Sequence, residues 1–150
     1  MNGWARTLVL FVIVFHCAAF FGEAFLWMRP SVHEPILPRL VGLPSPSLHE
    51  QATVLQALFV NQGFYNLFLA SAGLVGLELR RRGNTAAGHA LCCYMCLTAV
   101  GAGIVLALST RAYVGAFMQA VPAAAAFVLL WKGRATDGSP ALRQQARTGL

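Results

Sequence analysis

The sequence predicts an all-α fold, a four-helix bundle that spans a membrane. Of its 150 residues, 57% are hydrophobic and only 11% are charged, whereas about a quarter of the residues in a soluble domain are charged. Four apolar segments reach the roughly 20 residues that a helix needs to cross a bilayer. They lie at about residues 7–28, 53–79, 86–108 and 112–131, so residues 1–132 are expected to form the membrane domain.

The first apolar segment runs unbroken from Leu8 to Met28, yet it carries His16 and Glu23. An acidic residue at the centre of a membrane helix costs roughly 2.5–3.5 kcal/mol, and such residues usually act on an ion, a proton or a substrate. The segment exceeds the 7–15 apolar residues of a signal peptide. It is therefore expected to be a true span that carries part of a functional site.

The connection between the first two spans, residues 29–47, is long and rich in proline, which permits only short interrupted helices. We expect it to lie outside the cell, over the mouth of the bundle. Ser47 and Glu50 have the spacing of a capping box at the start of the second span. The connections near Gly83 and Ser109 are short, which predicts antiparallel neighbouring helices.

The distribution of positive charge predicts that both termini are cytoplasmic, because short loops rich in Lys and Arg stay on that side. One side would receive Arg6, Arg80, Arg81, Arg82, Lys132, Arg134, Arg143 and Arg147. The other would receive Arg29, Arg39 and Arg111. Residues 133–150 are expected to be a mobile basic tail. Topology and attraction to anionic lipid account for the net charge of +6, so nucleic-acid binding is not expected. The predicted location is a bacterial plasma membrane.

Helical periodicity groups the polar residues of the first span. Positions four, seven or eleven residues apart lie within about 40° of one another on a helix. His16, Phe20, Glu23 and Trp27 therefore share one face. This face combines ionisable groups with aromatic walls.

The second span carries a second polar stripe. Glu50, Asn61 and Tyr65 share one face, and Gln62 and Asn66 form an adjacent pair. Because lipid offers no hydrogen-bond partners, we expect this amide cluster to bond to the first helix.

The last span adds Gln119 with Pro122 three residues later. Proline removes a backbone donor and displaces the carbonyl of Met118. This leaves a free polar backbone group beside Gln119.

Three motifs carry a resemblance to a known family. They are H-x6-E-x3-W over His16, Glu23 and Trp27, V-N-Q-G-F-Y-N-L-F-L-A over residues 60–70, and F-M-Q-A-V-P-A over residues 117–123. In this order the sequence resembles the small four-helix membrane family DUF1304. The family usually has glycine where this chain has Ala120, and its loop after Trp27 is shorter. The resemblance implies a four-helix membrane bundle and supplies no reaction.

The polar constellation favours general acid–base catalysis on a lipophilic small molecule. Glu23 is the expected proton donor, with His16 as its partner or base and Glu50 as a less certain second carboxyl. Double-bond isomerisation, cyclisation and epoxide opening are the candidate reactions. The residues expected to bind the substrate are Asn61, Gln62, Tyr65, Asn66, Trp27, Phe20 and Gln119.

Other interpretations stay open at this point. Glu23 could exchange protons in a small-molecule transporter, which would act as a homodimer, or the chain could bind a lipophile or serve assembly only. No cofactor is expected. Cys93-x-x-Cys96 has a ligand-like spacing but lies within a span without a second cysteine pair, so its thiols are interpreted as small buried hydrophobes and no metal is predicted.

Overall fold

Four long antiparallel helices form the membrane domain in the computed structural model, which describes residues 1–41 and 47–137. The long helices are α1 (Gly3–Ala24), α4 (Leu48–Arg81), α5 (Thr85–Ser109) and α6 (Tyr113–Asp137), and two short ones are α2 (Pro30–His33) and α3 (Leu37–Val41). All four long helices are long and apolar enough to cross a membrane. This confirms an all-α bundle of four membrane helices. Of the tail expected at residues 133–150, residues 133–137 belong to α6, whereas residues 138–150 lie outside the described residues, as do Pro44 and Pro46.

Polar side chains fix where α1 and α4 begin. Asn2 accepts a hydrogen bond from the backbone N–H of Ala5 at 2.8 Å, and Ser47 accepts one from the N–H of Glu50 at 3.2 Å. Each bond satisfies one of the donors that a helix start leaves unpaired. The Ser47 cap predicted from the sequence is therefore present.

Small residues set how closely the helices approach. α1 packs between α4 and α6, and α5 packs between the same two helices on the opposite side of the bundle. A Cβ added to Gly63 would lie 3.0 Å from the backbone nitrogen of Ala24. A Cβ on Gly103 would lie 2.9 Å from the carbonyl oxygen of Ala116. Both sites therefore bring two helix backbones nearly into contact, which is typical of membrane helix packing.

α1 ends earlier than the sequence predicted. The apolar run was expected to continue as a helix to Met28, whereas α1 ends at Ala24. Pro30 begins α2, and proline disfavours helical geometry at the residue before it. Trp27 therefore lies beyond the helix and does not share the face of His16.

Residues 25–41 fold back on the start of α4 and form what we call the cap. Its core is the buried cluster of Trp27, Leu37 and Ala52. Gly63 is level with the end of α1, so residues 48–62 of α4 project about 22 Å beyond α1. The backbone N–H of Arg111, in the α5–α6 turn, donates to the carbonyl of Arg39 at 2.8 Å. The cap therefore crosses the end of the bundle from α4 to the α5–α6 turn.

Candidate functional site

The amide of Asn66 joins the two ionisable groups of α1. Its Oδ1 lies 2.7 Å from Nδ1 of His16, and its Nδ2 donates to Oε2 of Glu23 at 2.7 Å. His16 and Glu23 are therefore connected through α4 rather than directly to each other.

The three side chains differ in exposure. His16 is 1% exposed and Asn66 is 8% exposed, whereas Glu23 is half-buried. Within the described part of the chain, Nε2 of His16 is the one buried side-chain nitrogen or oxygen without a hydrogen-bond partner. Oε1 of Glu23 also has no hydrogen bond to a described residue. The site thus keeps one unpaired atom at each end.

Helix geometry explains why one amide reaches both groups. His16 and Glu23 are seven residues apart, about two turns or 10 Å along α1. Gly63 brings α4 against the last turn of α1, and Asn66 follows Gly63 by three residues on the same face of α4. The Asn66 amide therefore lies between the heights of His16 and Glu23 along α1.

Aromatic rings lie beside the buried half of the site. The ring of Phe15 meets His16 edge-on, with centroids 5.6 Å apart and an interplanar angle of 90°. Phe20 is buried, and its ring lies 5.4 Å from that of Phe64 across the α1–α4 contact. These rings give the site apolar walls.

The amide cluster predicted on α4 divides between two faces. Asn66 faces α1, whereas Asn61, Gln62 and Tyr65 are exposed. The packing face of α4 is marked by its small buried residues, because only they permit close contact. These residues are Ala52, Gly63, Ala70, Gly73 and Gly76. The spacing of these small residues is the sequence signal that places Asn66 on the packing face of α4, and the polar pattern alone does not carry it.

Glu50 and Trp27 lie away from the His16–Glu23 pair. Glu50 is exposed in the first turn of α4, thirteen residues or about 20 Å from the level of Gly63. Trp27 is 1% exposed, donates from its indole nitrogen to the carbonyl of Ala52 at 2.8 Å and stacks on Phe59 with centroids 3.5 Å apart. In the structure, Trp27 holds the cap together.

Gln119 lies on α6 and is partly buried. Pro122 lies inside the same helix, which continues through it. Because proline has no backbone N–H to donate, a free carbonyl at Met118, beside Gln119, stays a prediction.

The cysteines differ in burial, and Cys93 is only partly buried rather than buried as predicted. Cys92 and Cys96 are buried in the core of the bundle, while the sulfur of Cys93 lies 3.4 Å from Nε2 of His89. In residues 1–41 and 47–137, no group of three or more His, Cys, Asp or Glu side chains is placed to hold a metal ion.

Comparison with known proteins identifies one family. The sequence model described as "Protein of unknown function (DUF1304)" matches residues 10–131, which include all the motifs quoted above. This confirms the resemblance predicted from those motifs. No curated protein and no solved structure matches the chain.

Proposed function

We propose a function for this chain, which belongs to the DUF1304 family of proteins of unknown function, from the chemistry of its own site. It is an integral membrane enzyme that performs acid–base chemistry on a lipophilic small molecule. The reaction is a double-bond isomerisation, a cyclisation or the opening of an epoxide. The observation that carries the proposal is the Asn66 amide held between His16 and Glu23 at 2.7 Å on each side.

The amide orients both ionisable groups. An amide oxygen only accepts hydrogen bonds, so with Oδ1 toward His16 the imidazole proton is on Nδ1. The atom Nε2 then carries a lone pair, and it is the buried atom without a partner. At the other end, the Nδ2 donor holds one oxygen of Glu23 and leaves Oε1 available for a proton.

The energetic cost of the arrangement supports a chemical role. Burying a polar atom without a partner costs about 1–3 kcal/mol, and an acidic residue in a membrane helix costs more. A bundle that needed only stable packing would place apolar side chains at these positions. His16 Nε2 and Glu23 Oε1 instead remain unpaired and able to exchange protons.

The proposed proton transfers balance in each reaction. Glu23 donates a proton from its carboxyl group to an alkene carbon or an epoxide oxygen. In isomerisation or cyclisation, a proton then leaves a neighbouring carbon for Nε2 of His16 or returns to Glu23. In epoxide opening, the carbon–oxygen bond of the protonated epoxide breaks as water or an internal alkene attacks the carbon. The proton then lost by the added water, or by the cation that alkene attack forms, goes to Nε2 of His16 or returns to Glu23. Aromatic rings such as Phe20 stabilise a developing cation by roughly 0.5–2 kcal/mol each.

The proposal is tested by untargeted mass spectrometry of metabolites and lipids from cells that express wild type, Glu23→Gln or Asn66→Ala at matched membrane levels. Gln56→Leu is the control, since Gln56 is exposed on the projecting part of α4. We expect a lipophilic species that changes retention at constant mass, or gains one water, in wild type and Gln56→Leu only. If only the distribution of a known compound between cells and medium changes, the enzyme proposal is wrong and the proton-coupled transporter replaces it.

A further inference from the structure

Gln119 occupies the inward face of α6. It follows Ala116 by three residues and precedes Ala123 by four, and both alanines are buried. Residues at these spacings share one face of a helix. The Gln119 side chain therefore extends from the face of α6 that packs against the other helices.

The level of α6 relative to α1 follows from two glycine contacts. A Cβ on Gly73 of α4 would meet both Ile13 of α1 and Met95 of α5, so these two residues lie at one level. From Met95, α5 rises eight residues, or about 12 Å, to Gly103. The same rise on α1 leads from Ile13 to residue 21, within one turn of Glu23.

Gln119 lies at this same level. A Cβ on Gly103 would meet Ala116 and Ala120, which precede and follow Gln119 on α6. Because α1 is flanked by α4 and α6, Glu23 has Asn66 of α4 on one side and the inward face of α6, which carries Gln119, on the other.

Neither the amide of Gln119 nor the carboxyl of Glu23 is fully enclosed by protein. The Gln119 amide has no hydrogen bond to another described residue, and it is not among the buried atoms without a partner. Its amide atoms are therefore accessible. Oε1 of Glu23 has no partner either, and Glu23 is half-buried. An accessible amide and an accessible carboxyl oxygen thus lie at one level on adjacent helices.

The charges around this level indicate the chemical class of the ligand. The described Lys and Arg side chains of α1, α4 and α6 lie toward the end opposite the cap, and those of the cap and the α5–α6 turn are exposed. An anionic group would therefore meet Glu23 without a compensating cation. A neutral oxygen avoids this repulsion from Glu23 and still accepts a hydrogen bond from the amide NH₂ of Gln119.

We infer that Glu23 and Gln119 form one binding site for the neutral oxygen of a lipophile, such as an epoxide, carbonyl or hydroxyl group. The amide of Gln119 donates to this oxygen while Glu23 faces it from α1. The cap lies across the end of the bundle, so the apolar body of the ligand extends into the bilayer. This inference rests on the proposed function for its chemistry and names the substrate class of that site.

The geometry is tested by cross-linking paired cysteines with the rigid reagent p-phenylenedimaleimide, with the bridged peptides identified by mass spectrometry. The pair Glu23→Cys and Gln119→Cys is expected to cross-link as well as the pair Glu23→Cys and Asn66→Cys, which replaces groups in contact. The pair Glu23→Cys and Glu50→Cys is the negative control, because Glu50 is exposed but lies about 20 Å along α4 from the level of Gly63. A yield for the Gln119 pair no higher than this control would overturn the inference.

The ligand class is tested with three photoreactive probes of equal length, a long-chain alcohol, carboxylic acid and amine, each carrying a diazirine beside the head group. We expect the alcohol to label the peptides that contain Glu23 and Gln119 most strongly. Gln119→Leu should lower this labelling about fivefold, the effect of losing one hydrogen bond, whereas Gln56→Leu should not. Preferential labelling by the amine or the acid, or no effect of Gln119→Leu, would contradict the inference. Neither test measures turnover, so the binding site can be confirmed or refuted independently of the enzyme proposal.

Discussion

Replacing Asn66 with alanine should destabilise the bundle more than any exposed amide substitution does. The change removes both 2.7 Å hydrogen bonds and leaves the ring nitrogen of His16 and the carboxyl of Glu23 without their common partner. Interhelical hydrogen bonds in bilayers contribute roughly 0.6–2 kcal/mol each. The expected loss in the free energy of unfolding is therefore about 2–4 kcal/mol, since the buried imidazole also stays unsatisfied.

The assay is reversible unfolding in mixed micelles by titration with sodium dodecyl sulfate, followed by circular dichroism. Asn66→Ala, His16→Ala and the double variant form a cycle that isolates the contact between the two side chains. We expect a coupling of about 1 kcal/mol. Asn61→Ala, an amide on the same helix that is exposed, should change stability by less than about 0.5 kcal/mol.

Two results would refute this reasoning. One is a loss for Asn66→Ala no larger than that for Asn61→Ala. The other is a coupling of zero between positions 66 and 16. Either would show that the amide does not hold the two helices at the site, although the packing of α4 on α1 would be unaffected.

Three further substitutions test other parts of the structure. Glu23→Gln should change the free energy of unfolding by less than about 1 kcal/mol, because the amide oxygen can still accept the bond from α4; a larger loss in the same titration would contradict this. Gly88→Ala should lower the free energy of unfolding by about 1–3 kcal/mol, since the added Cβ would meet the backbone of α4. Gly101→Ala is the control: nothing lies within 4 Å of its Cβ, so the change should be neutral or slightly stabilising. Trp27→Ala should lower the free energy of unfolding by about 3–5 kcal/mol and expose the cap to limited proteolysis. Trp4→Ala should do neither, since Trp4 is 76% exposed; equal effects of the two substitutions would be inconsistent with a packed cap.

The helices were predictable because hydropathy and length act along the chain itself. A run of about 20 apolar residues must form a helix in lipid, where every backbone polar group needs an internal partner. The same argument identified His16 and Glu23, since an ionisable residue in such a run is conspicuous without knowledge of its neighbours. The start of α4 was also readable, because the Ser47 cap is a local contact.

The arrangement of the site was less predictable because it depends on contacts between helices. α4 carries amides on two faces, and periodicity alone does not tell which face meets α1. Gly63 identifies the face of α4 that meets α1, since only a residue without a side chain permits the contact with Ala24. Trp27 was misplaced for a similar reason. Its partners, the carbonyl of Ala52 and the ring of Phe59, belong to the projecting part of a distant helix.

The most direct test of the central claim is turnover by the purified protein. Wild type and Glu23→Gln are reconstituted in phospholipid vesicles at equal folded amounts and incubated with the lipophile that differs between their cells. General acid catalysis contributes typically 10²–10⁴-fold, so Glu23→Gln should convert the compound at least about 100-fold more slowly. Conversion by Glu23→Gln at the wild-type rate would contradict the assignment of Glu23 as the proton donor.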